Sequence, residues 1–213
     1  MHEDILGHMA YKIANAEVKT FPFPHIYVEN VFPKQFYDSL VESLPPAFQY
    51  TGNEAGKYKG RQFYEPKEPI FDPFRTRTFT DICTYPFRAY IAKKWGATFK
   101  ADTDLRLVLD SENYSIGPHT DAAWKVLSLL FYLPNLTTTE DLGTSIYLPN
   151  DPTFTCPGGP HHKHVDFTNI YTAPFRENCL FAFFKTDSSF HGVEPITIPC
   201  RRDVLLWNLY GRK

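Results

Sequence analysis

The stretch YSIGPHTD (residues 114–121), followed at once by the strand-like run KVLSLLFYLP (125–134), combines a Gly-Pro turn with a His-x-Asp pair. In a strand, residues i and i+2 point to the same side, with their Cα atoms roughly 6.5–7 Å apart. His119 and Asp121 would therefore present an imidazole and a carboxylate side by side. Two such ligands are not sufficient, and the two-histidine, one-carboxylate arrangement that suits non-haem Fe(II) needs a third.

The sequence from about residue 104 onward predicts a mainly β structure. Short aromatic and β-branched runs separated by turns recur there, a pattern typical of a sandwich or jelly roll and not of βαβ units. We expect a single domain over 1–213, in which residues 1–100 are an N-terminal elaboration of helices and strands and residues 101–213 form the jelly-roll core.

The first hundred residues predict helices interrupted by prolines. A helix is expected over 3–18, a strand at HIYVEN (25–30), and a helix that opens at Pro33 and stops at Pro45-Pro46. A second helical stretch is expected near 80–95, with its first turn broken by Pro86. Residues 46–80 are polar and irregular, and a loop of this length is usually functional or disordered. We interpret it as a partly ordered wall or lid over a site.

Composition excludes several classes of function. The chain has 213 residues, 43% hydrophobic and 16% aromatic, so dominant disorder is excluded. A net charge of −2 gives no basic footprint for nucleic acid, and no segment resembles a secretory signal, a membrane span or a membrane-binding helix. The four cysteines are widely spaced and form no dense framework, which predicts reduced thiols. We expect a cytoplasmic protein that acts on a small molecule, with an oligomeric state that the sequence does not define.

Three His-x-Asp pairs occur, and their context ranks them. His2/Asp4 lies at a terminus with no strand after it, and His164/Asp166 lies in the Gly-Pro loop TCPGGPHHKHVDF. That loop is expected to be a solvated surface loop, with adventitious metal binding by its histidines as the alternative. The long interval between Asp121 and His191 can hold several strands and return the chain beside its start. The predicted triad is therefore His119, Asp121 and His191.

A basic partner for this triad is expected beyond His191, where two arginines stand in HGVEPITIPCRRDVLLWNLY (191–210). If the two halves of this stretch are neighbouring antiparallel strands, Arg201 folds back toward the site. Arg201 shares its strand face with Trp207, whereas Arg202 lies on the other face. A guanidinium there would grip the far carboxylate of a dicarboxylate whose near end binds the metal.

Taken together, the chain resembles the iron(II)/2-oxoglutarate-dependent oxygenases, in their prolyl 4-hydroxylase-like branch. The resemblance covers roughly residues 104–210, about half of the chain. It departs from the usual double glycine at Leu142-Gly143-Thr144, and the loop 149–168 looks long, as either a lid or an insertion. The matching segments, in the family's order, are YSIGPHTD, KVLSLLFYLP, DLGTSIYLP, FAFFKTDSSFHGVEP and RRDVLLWNLY.

The resemblance implies a double-stranded β-helix (a cupin-like jelly roll) that uses Fe(II), 2-oxoglutarate and O₂ to hydroxylate an unactivated C–H bond, releasing succinate and CO₂. By the same resemblance, His119, Asp121 and His191 are the catalytic iron ligands. Arg201 would anchor the 2-oxoglutarate C5 carboxylate, a role that its six-residue spacing before Trp207 favours. The cosubstrate pocket would also take Tyr132, Ser128 and Tyr114.

Two other classes stay open at this point. One is a metal-binding jelly roll of another activity, an isomerase or hydrolase with Zn²⁺ or Mn²⁺, because this fold supports many functions. The other is a non-catalytic binding module that uses its aromatic surface. The presence of Asp121 favours hydroxylation within the oxygenase reading, while demethylation or desaturation would start in the same way.

Overall fold

A computed structural model describes residues 2–52, 59–96, 100–134 and 140–212. The α-helices are α1 (His2–Ala14), α2 (Lys34–Glu42), α3 (Arg77–Thr84) and α4 (Arg88–Trp95). The strands are β1 (His25–Glu29), β2 (Thr51–Gly52), β3 (Arg61–Tyr64), β4 (Lys100–Asp110), β5 (Ile116–His119), β6 (Lys125–Pro134), β7 (Ser145–Pro149), β8 (Phe167–Thr172), β9 (Cys179–Phe184), β10 (His191–Val193) and β11 (Arg202–Arg212).

The helices begin and end where local chemistry predicts. Pro33 occupies the position before α2, where its missing N–H costs nothing. The Thr76 hydroxyl accepts a hydrogen bond from the Phe79 amide (3.1 Å) and caps α3. Pro86 lies in a 3₁₀ turn that separates α3 from α4, so the break falls between two helices and not in the first turn of a single helix as predicted.

Two antiparallel sheets form the jelly roll. The larger has seven strands in the order β1-β9-β6-β11-β4-β3-β2, and the smaller has four in the order β5-β10-β7-β8. The predicted mainly β fold with a jelly-roll core is confirmed. Strands β1, β2 and β3 come from the first hundred residues and extend the larger sheet on both sides.

The central strands of the larger sheet are buried on both faces, and β11 illustrates the division. Leu205 and Trp207 point toward the helices, where the Trp207 ring packs against Phe79 with ring centroids 5.5 Å apart. Val204 and Leu206 point the opposite way, toward the interior between the sheets. Because side chains alternate along a strand, each central strand of this sheet contributes one row to each side.

One expectation about connectivity needs correction. The segments that begin at His191 and Arg201 are not neighbouring strands: β10 pairs with β5 and β7 in the smaller sheet, and β11 pairs with β4 and β6 in the larger.

Residues 46–80 are also more regular than predicted, because they contain β2, β3, two 3₁₀ turns and the start of α3. Residues 53–58 of that segment lie outside the described residues.

All four cysteines lie in the described ranges and are free thiols, three of them buried. Within those ranges, no helix combines the length and the apolar character needed to cross a membrane.

Candidate active site

The structure brings His119, Asp121 and His191 together. His119 ends β5 and His191 begins β10, and the two residues are direct partners in the register of these strands. Asp121 follows β5 by two residues. One ligand atom from each of the three side chains lies within 4.8 Å of the other two. A facial set of two imidazoles and one carboxylate is the donor chemistry that suits Fe(II) with open coordination positions.

Both imidazoles are oriented by backbone carbonyls. His119 Nδ1 lies 2.9 Å from the Gly117 carbonyl oxygen, and His191 Nδ1 lies 3.0 Å from that of Ser189. Because a carbonyl oxygen only accepts, each Nδ1 must carry the proton and donate it. The Nε2 atoms then keep their lone pairs for a metal, the arrangement that outer hydrogen bonds typically enforce on ligating histidines.

Asp121 is held on both of its oxygens. Lys125 Nζ donates to Oδ1 at 2.9 Å, and the Ser128 hydroxyl donates to Oδ2 at 2.8 Å. Oδ2 also lies 3.9 Å from His191 Nε2. The carboxylate plane is therefore fixed toward the histidines before any metal arrives.

The protonation states of the three groups favour metal binding. Burial lowers the pKa of His119 well below its usual range, with the nearby His191 adding to the effect, and burial likewise lowers the pKa of His191. Burial raises the pKa of Asp121, yet the charge of Lys125 and its hydrogen bond to the carboxylate lower that pKa overall. Neutral imidazoles and an ionised carboxylate are the forms that bind metals.

A central cavity of about 220 Å³ opens between the two sheets and contains the triad on one side. Its walls combine apolar side chains with a small number of polar ones, as small-molecule sites do. Besides the triad, its lining includes Arg61 and Phe63 of β3, Val108 of β4, Lys125, Ser128 and Leu130 of β6, Thr144, and Arg202 and Val204 of β11.

Arg202 forms the anion end of this cavity together with Thr144. The Arg202 side chain is 1% exposed. Its Nη1 donates to Asp110 Oδ2 at 2.5 Å, and its Nε donates to the Leu142 carbonyl oxygen. Among the described residues, no acceptor meets Nη2 of Arg202, and no partner meets the Thr144 hydroxyl, although both atoms are buried. Unsatisfied buried polar atoms cost roughly 1–3 kcal/mol each, so two of them at one cavity wall fit an absent ligand. A carboxylate would satisfy both.

The segment around Gly143 builds this anion end. Leu142 supplies the carbonyl oxygen that accepts from Arg202, and the Thr144 amide donates to the Tyr132 hydroxyl at 3.0 Å. A Cβ on Gly143 would lie 1.5 Å from the Ala173 carbonyl oxygen. A single glycine therefore suffices at this point, where the resemblance predicted a double glycine.

The structure places Arg201 outside the cavity, which corrects the prediction for this residue. Arg201 Nε donates to Asp203 Oδ2 (2.7 Å) and Nη2 donates to the Pro45 carbonyl oxygen (2.8 Å), on the helix side of the sheet. The parity argument was right that Arg201 shares a face with Trp207, but that face packs against the helices. Arg202, on the opposite face, lines the cavity.

The three other predicted pocket residues take different places. Ser128 lines the cavity and holds Asp121. Tyr132 is fully buried and contacts the anion end from behind, with its hydroxyl on the Thr144 amide. The Tyr114 ring lies under the guanidinium of Arg61, 4.1 Å from its carbon to the ring centroid. Neither tyrosine lines the cavity.

Sequence reasoning missed Arg61, Asp110 and Thr144. Asp110 ends β4 as an acid in an apolar run, a pattern that signals a buried polar partner. Arg61 had only one signal, its position in the polar segment that was predicted to wall a site. No feature of the sequence alone distinguished Thr144.

The histidine-rich loop packs on the triad and holds no second cluster of metal ligands among the described residues. The His162 amide donates to the Pro118 carbonyl oxygen (2.8 Å), and the Thr120 hydroxyl donates to that of Cys156 (2.7 Å). The His161 ring lies 4.5 Å from that of His119. His164 Nε2 lies 3.8 Å from Glu194, away from the triad. Loop 149–168 therefore covers the turn that carries the ligands.

Solved structures with the same fold are Fe/2-oxoglutarate oxygenases and related enzymes. A Pseudomonas putida prolyl-4-hydroxylase matches with a TM-score of 0.55 at 12% identity, over 97% of this chain and 99% of that one. HygX from Streptomyces hygroscopicus, solved with nickel and 2-oxoglutarate, matches with a TM-score of 0.55 at 10% identity, over 87% of this chain and 82% of that one.

A Trichoplax adhaerens prolyl hydroxylase, in complex with a peptide fragment of hypoxia inducible factor, matches with a TM-score of 0.52 at 11% identity, over 98% of this chain and 90% of that one. No model of a known protein family matches the sequence, and no curated protein sequence is significantly similar to it. At these identities the similarity establishes the jelly-roll fold, and the function has to be argued from the site.

Proposed function

We propose that this chain is an Fe(II)- and 2-oxoglutarate-dependent dioxygenase that hydroxylates an unactivated C–H bond of a small polar molecule. Succinate and CO₂ would be the products from the cosubstrate. His119, Asp121 and His191 would hold the iron, and the anion end formed by Arg202 and Thr144 would hold the C5 carboxylate of 2-oxoglutarate.

One relationship supports this function over the alternatives. A triad of side chains that could hold a metal ion and a buried guanidinium with an unmet donor line the same cavity. 2-Oxoglutarate has a metal-chelating 2-oxo acid at one end and a carboxylate at the other, so it matches both features at once. The chemistry of a Zn²⁺ hydrolase or isomerase, or of a binding module, does not by itself require a buried arginine in the cavity that contains the triad.

The side chains divide the work between binding, orientation and exclusion of water. Bound iron, together with 2-oxoglutarate and O₂, supplies the oxidising chemistry that converts C–H into C–OH. Lys125 and Ser128 keep Asp121 aimed at the metal. The apolar side chains of Val108, Leu130 and Val204 line the cavity and exclude water from the reacting groups.

The substrate class is supported less directly. HygX has been solved with hygromycin B, a small molecule, whereas the Trichoplax enzyme was solved with a peptide. The cavity, which would also hold the cosubstrate, carries several polar side chains, and this favours a polar substrate over an apolar one. A peptide substrate is the other outcome of the experiment below.

The experiment is a substrate screen with iron-loaded protein. Fe(II), 2-oxoglutarate and O₂ are supplied with panels of amino acids, sugars and short peptides, and succinate is measured alongside the product mass. We expect one panel member to stimulate succinate release and to gain one oxygen atom, and Asp121→Ala to abolish both signals.

Two outcomes would favour the other classes. If the loaded protein binds metal but neither binds 2-oxoglutarate nor releases succinate, the site belongs to a metal-dependent enzyme of another type. If a ligand still binds after all three metal ligands are replaced by alanine, the chain is a binding module.

A further inference from the structure

Arg202 does not face the cavity as an isolated cation, because Asp110 lies directly behind it. Arg202 Nη1 donates to Asp110 Oδ2 at 2.5 Å, and the Asp110 side chain is 0% exposed. A guanidinium and a carboxylate in contact cancel each other's net charge. This pair alone would therefore offer an incoming anion little attraction, and Asp110 would repel it.

A third charged group changes this balance. Arg61 grips the same carboxylate with two parallel hydrogen bonds, Nε to Oδ1 at 2.5 Å and Nη2 to Oδ2 at 2.7 Å. The bidentate geometry is the strongest form of such a pair. Arg61, Asp110 and Arg202 together carry one net positive charge, which matches one carboxylate of a ligand.

We propose that Arg61 determines the cosubstrate specificity of the site, because it neutralises Asp110 and so leaves the charge of Arg202 available to the distal carboxylate of a 2-oxo diacid. This inference rests on the proposed function and extends it to a residue outside residues 104–210, the segment whose sequence resembles the oxygenases. It makes β3 a component of the anion end.

The position of Arg61 is fixed from three sides. Arg61 and Asp110 are direct partners in the register of β3 and β4. The guanidinium of Arg61 lies over the Tyr114 ring, a cation–π contact at 4.1 Å. The preceding Gly60 has φ +77°, and its carbonyl oxygen accepts from the Ser111 amide at 2.9 Å. Its backbone approaches so closely that a Cβ would lie 2.9 Å from the Tyr114 nitrogen.

Burial makes the charge balance matter. Side-chain exposure is 14% for Arg61, 0% for Asp110 and 1% for Arg202, so water screens these charges weakly. Removal of Arg61 would leave Asp110 to be compensated by Arg202 alone. Arg202 would then bind the internal acid in preference to the ligand.

The test compares two keto acids that differ only at the distal end. 2-Oxoglutarate and 2-oxopentanoate share the metal-chelating group, but only the former has the C5 carboxylate. Each is titrated by calorimetry into protein loaded with Ni(II), which binds without oxygen chemistry. We expect Arg61→Met to lower the affinity for 2-oxoglutarate on the order of tenfold or more and to change the affinity for 2-oxopentanoate by no more than about twofold.

Three further variants separate charge from structure. The double variant Arg61→Met/Asp110→Asn removes the acid together with its partner and should restore most of the 2-oxoglutarate affinity. Arg61→Lys keeps the charge and should stay within about threefold of the unaltered protein. Arg106→Met, at an exposed arginine of β4 that pairs with Asp104, is the matched control and should change nothing.

The inference is overturned if Arg61→Met binds 2-oxoglutarate normally, or if it weakens both keto acids equally without rescue by the double variant. Should Arg61→Met fail to fold, a large and selective loss of 2-oxoglutarate affinity in Arg61→Lys would equally contradict the charge role. If the unaltered Ni(II)-loaded protein binds no 2-oxoglutarate at all, the proposed function itself fails.

Discussion

His119 and His191 lie opposite each other in the register of β5 and β10, with their ring centroids 4.3 Å apart. These residues are distant in sequence, and the pairing of two short strands in the smaller sheet brings them together. Asp121 joins them from the turn after β5. The candidate metal centre therefore depends on strand register, and each proposed ligand can be tested separately.

His191→Ala removes one of three protein ligands, and we expect the affinity for Ni(II) or Fe(II) to fall by about 100-fold or more, since even outer partners of ligands contribute 10–100-fold. The measurement is calorimetric titration of metal into metal-free protein. His164→Ala is the matched control, because His164 contacts Glu194 away from the triad. Equal losses in both variants would contradict the assignment of the site.

Ser128→Ala removes the hydrogen bond to Asp121 Oδ2 but no ligand. The carboxylate would become free to rotate, so the metal affinity should fall about tenfold while the fold stays intact. The same titration measures it, with thermal unfolding as the check on folding. Ser39→Ala, which removes an exposed hydroxyl on α2, should leave the affinity unchanged. An unaltered affinity in Ser128→Ala would mean that Lys125 alone orients Asp121.

Gly143→Ala tests the construction of the anion end. The added methyl group would lie 1.5 Å from the Ala173 carbonyl oxygen, so the backbone between Leu142 and Thr144 must shift. We expect a loss of about 1–3 kcal/mol or more in the free energy of unfolding, measured by denaturant titration. Gly7→Ala is the control: nothing lies within 4 Å of its Cβ position in α1, and alanine should stabilise that helix by up to about 1 kcal/mol. Equal stability of the two variants would contradict the close approach at Gly143.

The individual strands were predictable because their composition is local information. Residues 125–134 and 179–184 are largely apolar runs, and they form β6 and β9 as expected. The partners of the strands were less predictable. The segments that begin at His191 and Arg201 follow each other along the chain, yet β10 belongs to the smaller sheet and β11 to the larger one.

The choice between Arg201 and Arg202 failed for a related physical reason. Alternation along β11 states which residues share a face, but both faces of the larger sheet are buried, so the pattern does not say which one borders the cavity. The six-residue spacing before Trp207 favoured Arg201, whereas the Trp207 ring packs against Phe79 under the helices. Arg61 was still harder to identify, since its role depends on a register with Asp110 that no local pattern encodes.

The adjacent arginines provide the most direct test of the proposed site: Arg201 directly precedes β11, Arg202 begins it, and their side chains lie on opposite sides of the larger sheet. Fe(II)-loaded protein is titrated with 2-oxoglutarate under anaerobic conditions, and the visible charge-transfer absorption of the chelate is followed for Arg202→Gln and Arg201→Gln. We predict that Arg202→Gln weakens 2-oxoglutarate binding by about 100-fold, while Arg201→Gln binds normally. Normal binding by Arg202→Gln, with the loss in Arg201→Gln instead, would contradict the account.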